Sequence, residues 1–434
     1  MAIHDGIKTL RESAPESESP HSFPKLEDGW ENNCAPGNDR NGYDESLSNT
    51  TLPNHGIKKV LVVLHSYVKA TLEKGEDGYK GTERSAVYIL KELHRRGIEA
   101  HLIAPAGSNI PGVILHPSTD KTLWDFSDPK NPQTASPETI AKVMDRTIEL
   151  MNEVVAQEKP DIVDCNIAHN EKLDKALERL PVPHVVNFHG PTKDKPDLQT
   201  IVAKHPILPV ITVSKLQQKF LKANYVGAVP NGLPEDVITY RPGQKKNELV
   251  MLARLSPKKD FPRGIEIAKQ ANMKLIIGGT LLNDQSDRIY YEEVLVPLFE
   301  REKETVTLRE DICEANKADF LSDKVAPLAL TKREADRFGP EYIEADGMHI
   351  TEALAAGVPV ICDSGVDPSK VPPEVGFRCD SIEEAVEALR KTDMIDPEAC
   401  NRYFLENFTV NKTVERRLAV YAKVIGAFCA SLSA

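Results

Sequence analysis

The sequence has no run of eighteen apolar residues, no C-x-x-C pair, no G-x-G-x-x-G loop and no surplus of positive charge. The first absence excludes a helix apolar enough to cross a bilayer. No basic region precedes an apolar run at the amino terminus, which argues against a secretory leader and leaves a cytoplasmic protein as the expectation. The cysteines, Cys34, Cys165, Cys313, Cys362, Cys379, Cys400 and Cys429, are odd in number and scattered. Such spacing suits reduced thiols better than a disulfide frame or a zinc site. With a net charge of −12 the chain lacks the basic face that neutralises phosphates, so no nucleic-acid partner is expected.

What is present is length and alternation. A chain of 434 residues with 40% hydrophobic content can bury two cores. Residues 1–56 are rich in Ser, Pro, Asn, Asp and Glu and show almost no apolar periodicity; they read as a disordered tail, with Trp30 its one residue that could dock. Residues 58–64 form an apolar strand, a loop runs through Gly75, Gly78 and Gly81, a helix starts at Thr82-Glu83 and ends at Arg96-Gly97, and a second strand covers 99–104. That is a βαβ unit, whose crossover implies a parallel sheet with its ligand face at the carboxyl ends of the strands. The missing G-x-G-x-x-G, and the missing acidic residue at the end of the second strand, argue against a Rossmann dehydrogenase.

Alternation continues with a helix near 137–157 and strands at 161–164, 184–188 and 210–213. His189-Gly190 and Ser214 fall just past their strands. A turn at Pro230-Asn231-Gly232 precedes a second series of strands at 248–253, 274–277, 305–308 and 325–330. The division expected is a tail at 1–56, a first Rossmann-like domain at 57–235 joined by a last helix at 411–434, and a second at 236–410. Val414, Leu418, Tyr421 and Val424 give that last helix its apolar stripe.

One stretch organises the rest: Glu344-Ala-Asp-Gly347-Met348-His349-Ile-Thr-Glu352-Ala-Leu-Ala-Ala-Gly357-Val-Pro359-Val-Ile361. Ala353 to Ala356 are good helix formers, Gly357 suits the left-handed residue after a helix, and Pro359 stops its continuation. A helix beginning at Gly347 offers unpaired N–H groups to a phosphate. Glu352, one turn in, would repel a phosphate but can accept two hydrogen bonds from a ribose diol. The pattern reads as a grip for a nucleotide sugar.

The same stretch resembles the signature of retaining glycosyltransferases of the GT-B fold, the large family numbered four. Glu352-Ala-Leu-Ala-Ala-Gly357-Val-Pro359-Val-Ile matches its E-A-x-A-x-G-x-P-V-I half. In the first half, Glu344-Ala-Asp-Gly347 stands where the family has E-G-F-G, and Asp336-Arg-Phe-Gly339 is a rival for the first carboxylate. Gly81-Thr-Glu83-Arg84 resembles G-G-x-E-R, with Lys80 for the first glycine; Pro230-Asn231-Gly232 resembles P-N-G; Arg254-Leu-Ser-Pro-Lys258-Lys259-Asp260 resembles R-L-x-x-x-K-G, with Asp260 for the glycine. The resemblance implies two Rossmann-like domains facing across a cleft, with the last helix crossing back to the first.

It further implies transfer of a hexose from a nucleotide diphosphate sugar, UDP being commonest, to an acceptor hydroxyl with retention. Arg254 and Lys259 would clamp the diphosphate, His189 would contact the hexose and Glu344 would hold sugar hydroxyls, these four being the candidate catalytic residues. Gly81, Asn231, Gly347, Met348, His349 and Glu352 are the candidates for binding the nucleotide sugar. No Asp-x-Asp pair occurs, so Arg254, Lys259 and helix N-termini would replace a diphosphate-bridging cation, and neither metal nor other cofactor is expected. The acceptor is a small molecule or a glycan; no Lys/Arg-rich amphipathic helix is evident, which favours a soluble one. A nucleotide-sugar 2-epimerase, a phosphorylase or a catalytically silent binding subunit could share the fold, the last encouraged by Asp260, Ala345 and Asp346.

Overall fold

The computed structural model describes residues 55–432 except 72–80, 126–132, 168, 194, 239, 241–245, 280, 282–284 and 313. The expected tail, with Trp30, and the glycine loop through Gly75 and Gly78 therefore lie outside the described residues, apart from His55 and Gly56.

The first lobe begins with β1 (Lys59–Leu64), α1 (Gly81–Arg95), β2 (Glu99–Ala104) and β3 (Val113–Pro117). A two-stranded antiparallel ribbon, β4 (Trp124–Asp125) with β5 (Gln133–Thr134), leads into α2 (Pro137–Glu158). Ser136 caps α2 by accepting from the Thr139 N–H, and Pro137 occupies the first helical position, where no N–H is needed. Then come β6 (Ile162–Asn166), α3 (Glu171–Leu177), β7 (His184–Phe188), α4 (Pro196–Lys204), β8 (Pro209–Thr212) and β9 (Asn224–Ala228).

Among the described residues seven parallel strands make one sheet in the order β3-β2-β1-β6-β7-β8-β9. β1, β6 and β7 are buried almost throughout because helices cover both faces. The order reverses between β1 and β6, so a crevice opens at their carboxyl ends.

The second lobe repeats the plan. Its elements are β10 (Glu248–Leu252), α5 (Phe261–Gln270), β11 (Lys274–Gly278), α6 (Gln285–Tyr290), α7 (Val296–Arg301), β12 (Val306–Arg309), α8 (Glu314–Ser322), β13 (Ala326–Ala329), α9 (Met348–Ala355), β14 (Val360–Cys362), β15 (Gly376–Arg378), α10 (Ile382–Leu389) and α11 (Pro397–Asn407). The six described strands are parallel in the order β12-β11-β10-β13-β14-β15, with the reversal between β10 and β13. Between α6 and α7 the helical run passes through a π-helical turn at Tyr291–Leu295, just before Pro297. Proline has no N–H to continue the regular ladder.

The last helix, α12 (Val410–Leu432), packs on α1, β7 and β9 of the first sheet, as its apolar stripe implies. Val414, Leu418 and Tyr421 are fully buried, and so is Arg417 on the same face. Arg417 donates to Asp164 Oδ2 at 2.7 Å and Asn187 Oδ1 at 2.9 Å, and the Tyr421 hydroxyl also bonds Asp164. A buried guanidinium is tolerated only with such partners. The carboxyl ends of the two sheets face each other: the Leu216 N–H, past β8, donates to Asp367 Oδ2, past β14, at 2.8 Å, and Lys193 pairs with Glu341.

Candidate active site in the cleft

α9 starts and stops where glycine allows it. Gly347 is its N-cap with φ +74°, and Gly357 ends it with φ +74°, conformations that residues bearing a Cβ rarely adopt. At its start α9 meets the start of α1. A Cβ on Gly81 would stand 3.7 Å from the Met348 sulfur, so two helix N-termini, one per lobe, converge on one place. Each carries unpaired N–H groups and a partial positive charge.

Beside them stand the two carboxylates. Glu344 has a side chain 11% exposed and is ion-paired to Lys259. Burial alone would push its pKa up, but Lys259, by its charge and its hydrogen bond, more than reverses that and holds it below the ordinary range. Lys259 answers in kind: burial would lower its pKa, and Glu344 with Tyr342 keeps it above the usual lysine value. The Lys259 ammonium also lies 5.3 Å from the Tyr342 ring centroid, and burial pushes that phenol up to about 12. Arg254 lies within electrostatic reach of both, and its Nε is 3.1 Å from the buried Asp287 carboxylate. The rival, Asp336, sits at a half-exposed turn bonded to Lys332.

Glu352, 3% exposed, accepts from Arg84 Nη2 at 2.6 Å and Lys317 Nζ at 2.9 Å. Burial opposes its charge, yet Lys317 and Arg84 bring its pKa down to about 2. His349 lies among these groups, and burial, only partly offset by Glu344, lowers it to about 4, so the imidazole is neutral at pH 7. Asp346 pairs with buried Lys370 at 3.0 Å and also bonds Asn231, which accepts from Ser85 of α1 at 2.7 Å. Asn231 thus ties the turn between the lobes to both. Burial raises the Asp346 pKa despite Lys370.

Lys259, Glu344, Gly347, Met348, His349, Glu352, Asn231 and Gly81 therefore share one cleft, with Arg254 at its edge. His189 stands apart from them on the floor of the first lobe. Its Nε2 is 2.7 Å from Asn166 Oδ1, and burial, then the charges of Arg417 and His65, lowers its pKa to about 3. Ser214 is buried past β8 with its hydroxyl unbonded.

Arg84, Lys317, Tyr342 and Lys370 are the site residues that sequence reasoning missed. Arg84 had a signal, since it ends the Gly81-Thr-Glu83-Arg84 motif. Lys317 and Lys370 had none, because no local spacing marks a residue that pairs with another 35 or 24 positions away. Among the described residues the carboxylate–histidine group closest to a cation site is Glu99, His101 and Glu158. It lies at the amino ends of the strands, away from the cleft, and the Lys59 ammonium is 2.7 Å from Glu99 and 3.1 Å from Glu158. No described helix is long and apolar enough to cross a membrane.

Residues 79–232 match the family described as Glycosyltransferase Family 4. No curated protein matches the chain in sequence. Its fold is shared with solved glycosyltransferases. AviGT4, of avilamycin A biosynthesis, is 16% identical, with a TM-score of 0.60 over 85% of this chain and 98% of that one. Anabaena Alr3699/HepE in complex with UDP is 16% identical, with a TM-score of 0.57 over 84% and 98%. TarM is 10% identical, with a TM-score of 0.60 over 85% and 99%. The chain is thus a protein of the GT-B fold, with two Rossmann-like lobes, and its residues 79–232 match the glycosyltransferase family 4 pattern.

Proposed function

We propose that the protein transfers a hexose from a nucleotide diphosphate sugar to an acceptor hydroxyl, with retention of configuration. One observation carries this reading: two helix N-termini, Lys259 and Arg254 come together beside the carboxylates of Glu344 and Glu352. Such a grouping suits a diphosphate flanked by hydroxyl-rich groups. UDP is the expected nucleotide, supported by the Anabaena protein's complexes with UDP and with UDP-glucose.

The second lobe, 236–410, would hold the donor and the first, 57–235 with the last helix, the acceptor. Lys259 and Arg254 stabilise charge developing on the leaving diphosphate, the part a divalent cation plays elsewhere. Glu344, fixed as a carboxylate by Lys259, accepts from sugar hydroxyls. Glu352 accepts from the ribose diol, which displaces Arg84 from one carboxylate oxygen while Lys317 stays. The acceptor oxygen attacks the anomeric carbon on the face from which the diphosphate departs. Its proton passes to the departing phosphate oxygen, so one C–O bond forms as another breaks and configuration is kept.

The test is a thermal-shift screen with UDP-, GDP- and ADP-sugars, followed by mass analysis of products with candidate acceptors. Stabilisation by a UDP-sugar and a product heavier than its acceptor by one hexosyl unit are expected. No shift with any of the three nucleotides would overturn the reading.

A further inference from the structure

The donor groups leave one part of the cleft unused, the crevice at the carboxyl end of β1 where the first sheet reverses order. Glu83, in the first turn of α1, is 3% exposed, and neither of its carboxylate oxygens has a hydrogen-bond partner. His65, the residue after β1, brings Nε2 to 3.1 Å from Glu83 Oε1 without the alignment of a hydrogen bond. A buried carboxylate left so is expensive to keep unless a ligand completes it.

His189, which the resemblance assigned to the donor hexose but which stands apart from the other donor residues, supplies a second open atom on the same floor. Asn166 uses its Nδ2 to donate to the Asp164 carbonyl and Oδ1, both at 3.1 Å, so its Oδ1 must accept from His189 Nε2. The His189 proton then resides on Nε2, and Nδ1, buried and unpartnered, is left as a bare acceptor. Beside His65 the rings of Tyr67 and Trp124 follow at centroid separations of 5.2 and 5.5 Å, forming a half-buried aromatic ledge.

We propose that Glu83, His65 and the Nδ1 of His189 form the acceptor's seat, and that the seat takes a neutral polyhydroxy compound in preference to a phosphorylated one. The inference rests on the glycosyltransferase reading for its chemistry. Its open atoms are acceptors, so the ligand must bring donors. They extend from the end of β1 to the end of β7, two strand spacings of about 4.8 Å each, a span for a ring bearing several hydroxyls and too wide for one ammonium. Glu83 would repel a phosphate, and the aromatic ledge suits a sugar's C–H face.

Glucose and glucose 6-phosphate are the probes, titrated by calorimetry into wild type, Glu83→Gln and Glu83→Ala, with and without UDP. Wild type should bind glucose at least about 10-fold more tightly than its phosphate. Each variant should lose about 10-fold or more in glucose affinity, as for a hydrogen bond to a charged group. UDP affinity should be unchanged, and the Tm of Glu83→Gln should equal or exceed that of wild type, since the orphaned charge is gone.

Absence of glucose binding to wild type, equal or tighter binding of the phosphate, unchanged affinity in Glu83→Gln, or a fall in its Tm would each overturn the proposal. Because the sugars are also titrated without nucleotide, loss of UDP binding alone would strike the donor reading and leave this one to be judged by itself.

Discussion

The two carboxylates of the organising stretch are held in different ways. Glu344 pairs with Lys259, 85 positions away but in the same lobe; Glu352 pairs with Lys317 of its own lobe and with Arg84, 268 positions away in the other. If the lobes part, Glu344 keeps its partner and Glu352 loses one of two. The sugar and phosphate end of the proposed donor site is therefore organised within one lobe, whereas the nucleoside end is coupled to closure. A ribose diol that takes Arg84's place would loosen one inter-lobe contact while adding ligand contacts to both walls.

The largest expected effect comes from breaking the inter-lobe member. Glu352→Ala leaves Arg84 and Lys317 buried without their carboxylate, and removal of one partner from a buried pair costs about 3 kcal/mol or more. At about 2 °C or more per kcal/mol for a lobe of this size, Tm should fall by roughly 6 °C or more. Arg84→Ala, which leaves Lys317 in place, should cost less. Equal losses in the two would show that Lys317 does not stabilise Glu352. Calorimetry with UDP should also show weaker binding to Glu352→Ala.

The intra-lobe member should show itself in turnover. Lys259→Ala is expected to lower kcat about 10²-fold, typical of deleting one charge stabiliser, and Arg254→Ala to follow it. Steady-state assays with the donor found in the screen decide this; full activity in both variants would remove the clamp from the mechanism.

A smaller effect should appear with pH. His349 feels both carboxylates, and burial lowers its pKa from the usual 6.5 to about 4. Unfolded chain takes up a proton near 6.5, folded chain only near 4. The stability that neutral His349 permits is thus whole above 6.5, declines as pH falls from there to about 4, and is gone below. Over that window Tm should fall less steeply in His349→Gln than in wild type; parallel curves would mean that His349 titrates as an exposed imidazole does.

How far the sequence told these things depends on the range of the interaction. Gly347 and Gly357 could be placed because a helix end is local chemistry: Gly357 adopts the left-handed backbone expected, and Gly347 begins the helix as expected, in the same backbone region. Lys259, found beside Glu344, and Arg254, at the edge of the cleft, could be singled out because their spacing resembles the family's R-L-x-x-x-K, a local pattern. The pairings of Glu352 with Lys317 and of Asp346 with Lys370 had no such signal, since tertiary contacts alone bring them together. The fully buried Arg417, within an otherwise apolar stripe, was hidden for the same reason: its acceptors come from β6 and β7.

The smallest effect concerns Asp260, which stands where the resembling family has glycine. It adopts φ +44° and ψ 51°, a left-handed conformation that a short polar side chain tolerates better than others. Its carboxylate lies 3.0 Å from Arg263 Nε at the start of α5, where negative charge is favoured. Glycine would remove the strain but lose that contact and gain freedom in the unfolded chain, so Asp260→Gly should move Tm very little. Alanine would keep the strain and lose the contact. It should be less stable than the glycine variant by about 1 kcal/mol, and the opposite order would show that the left-handed backbone costs this position little.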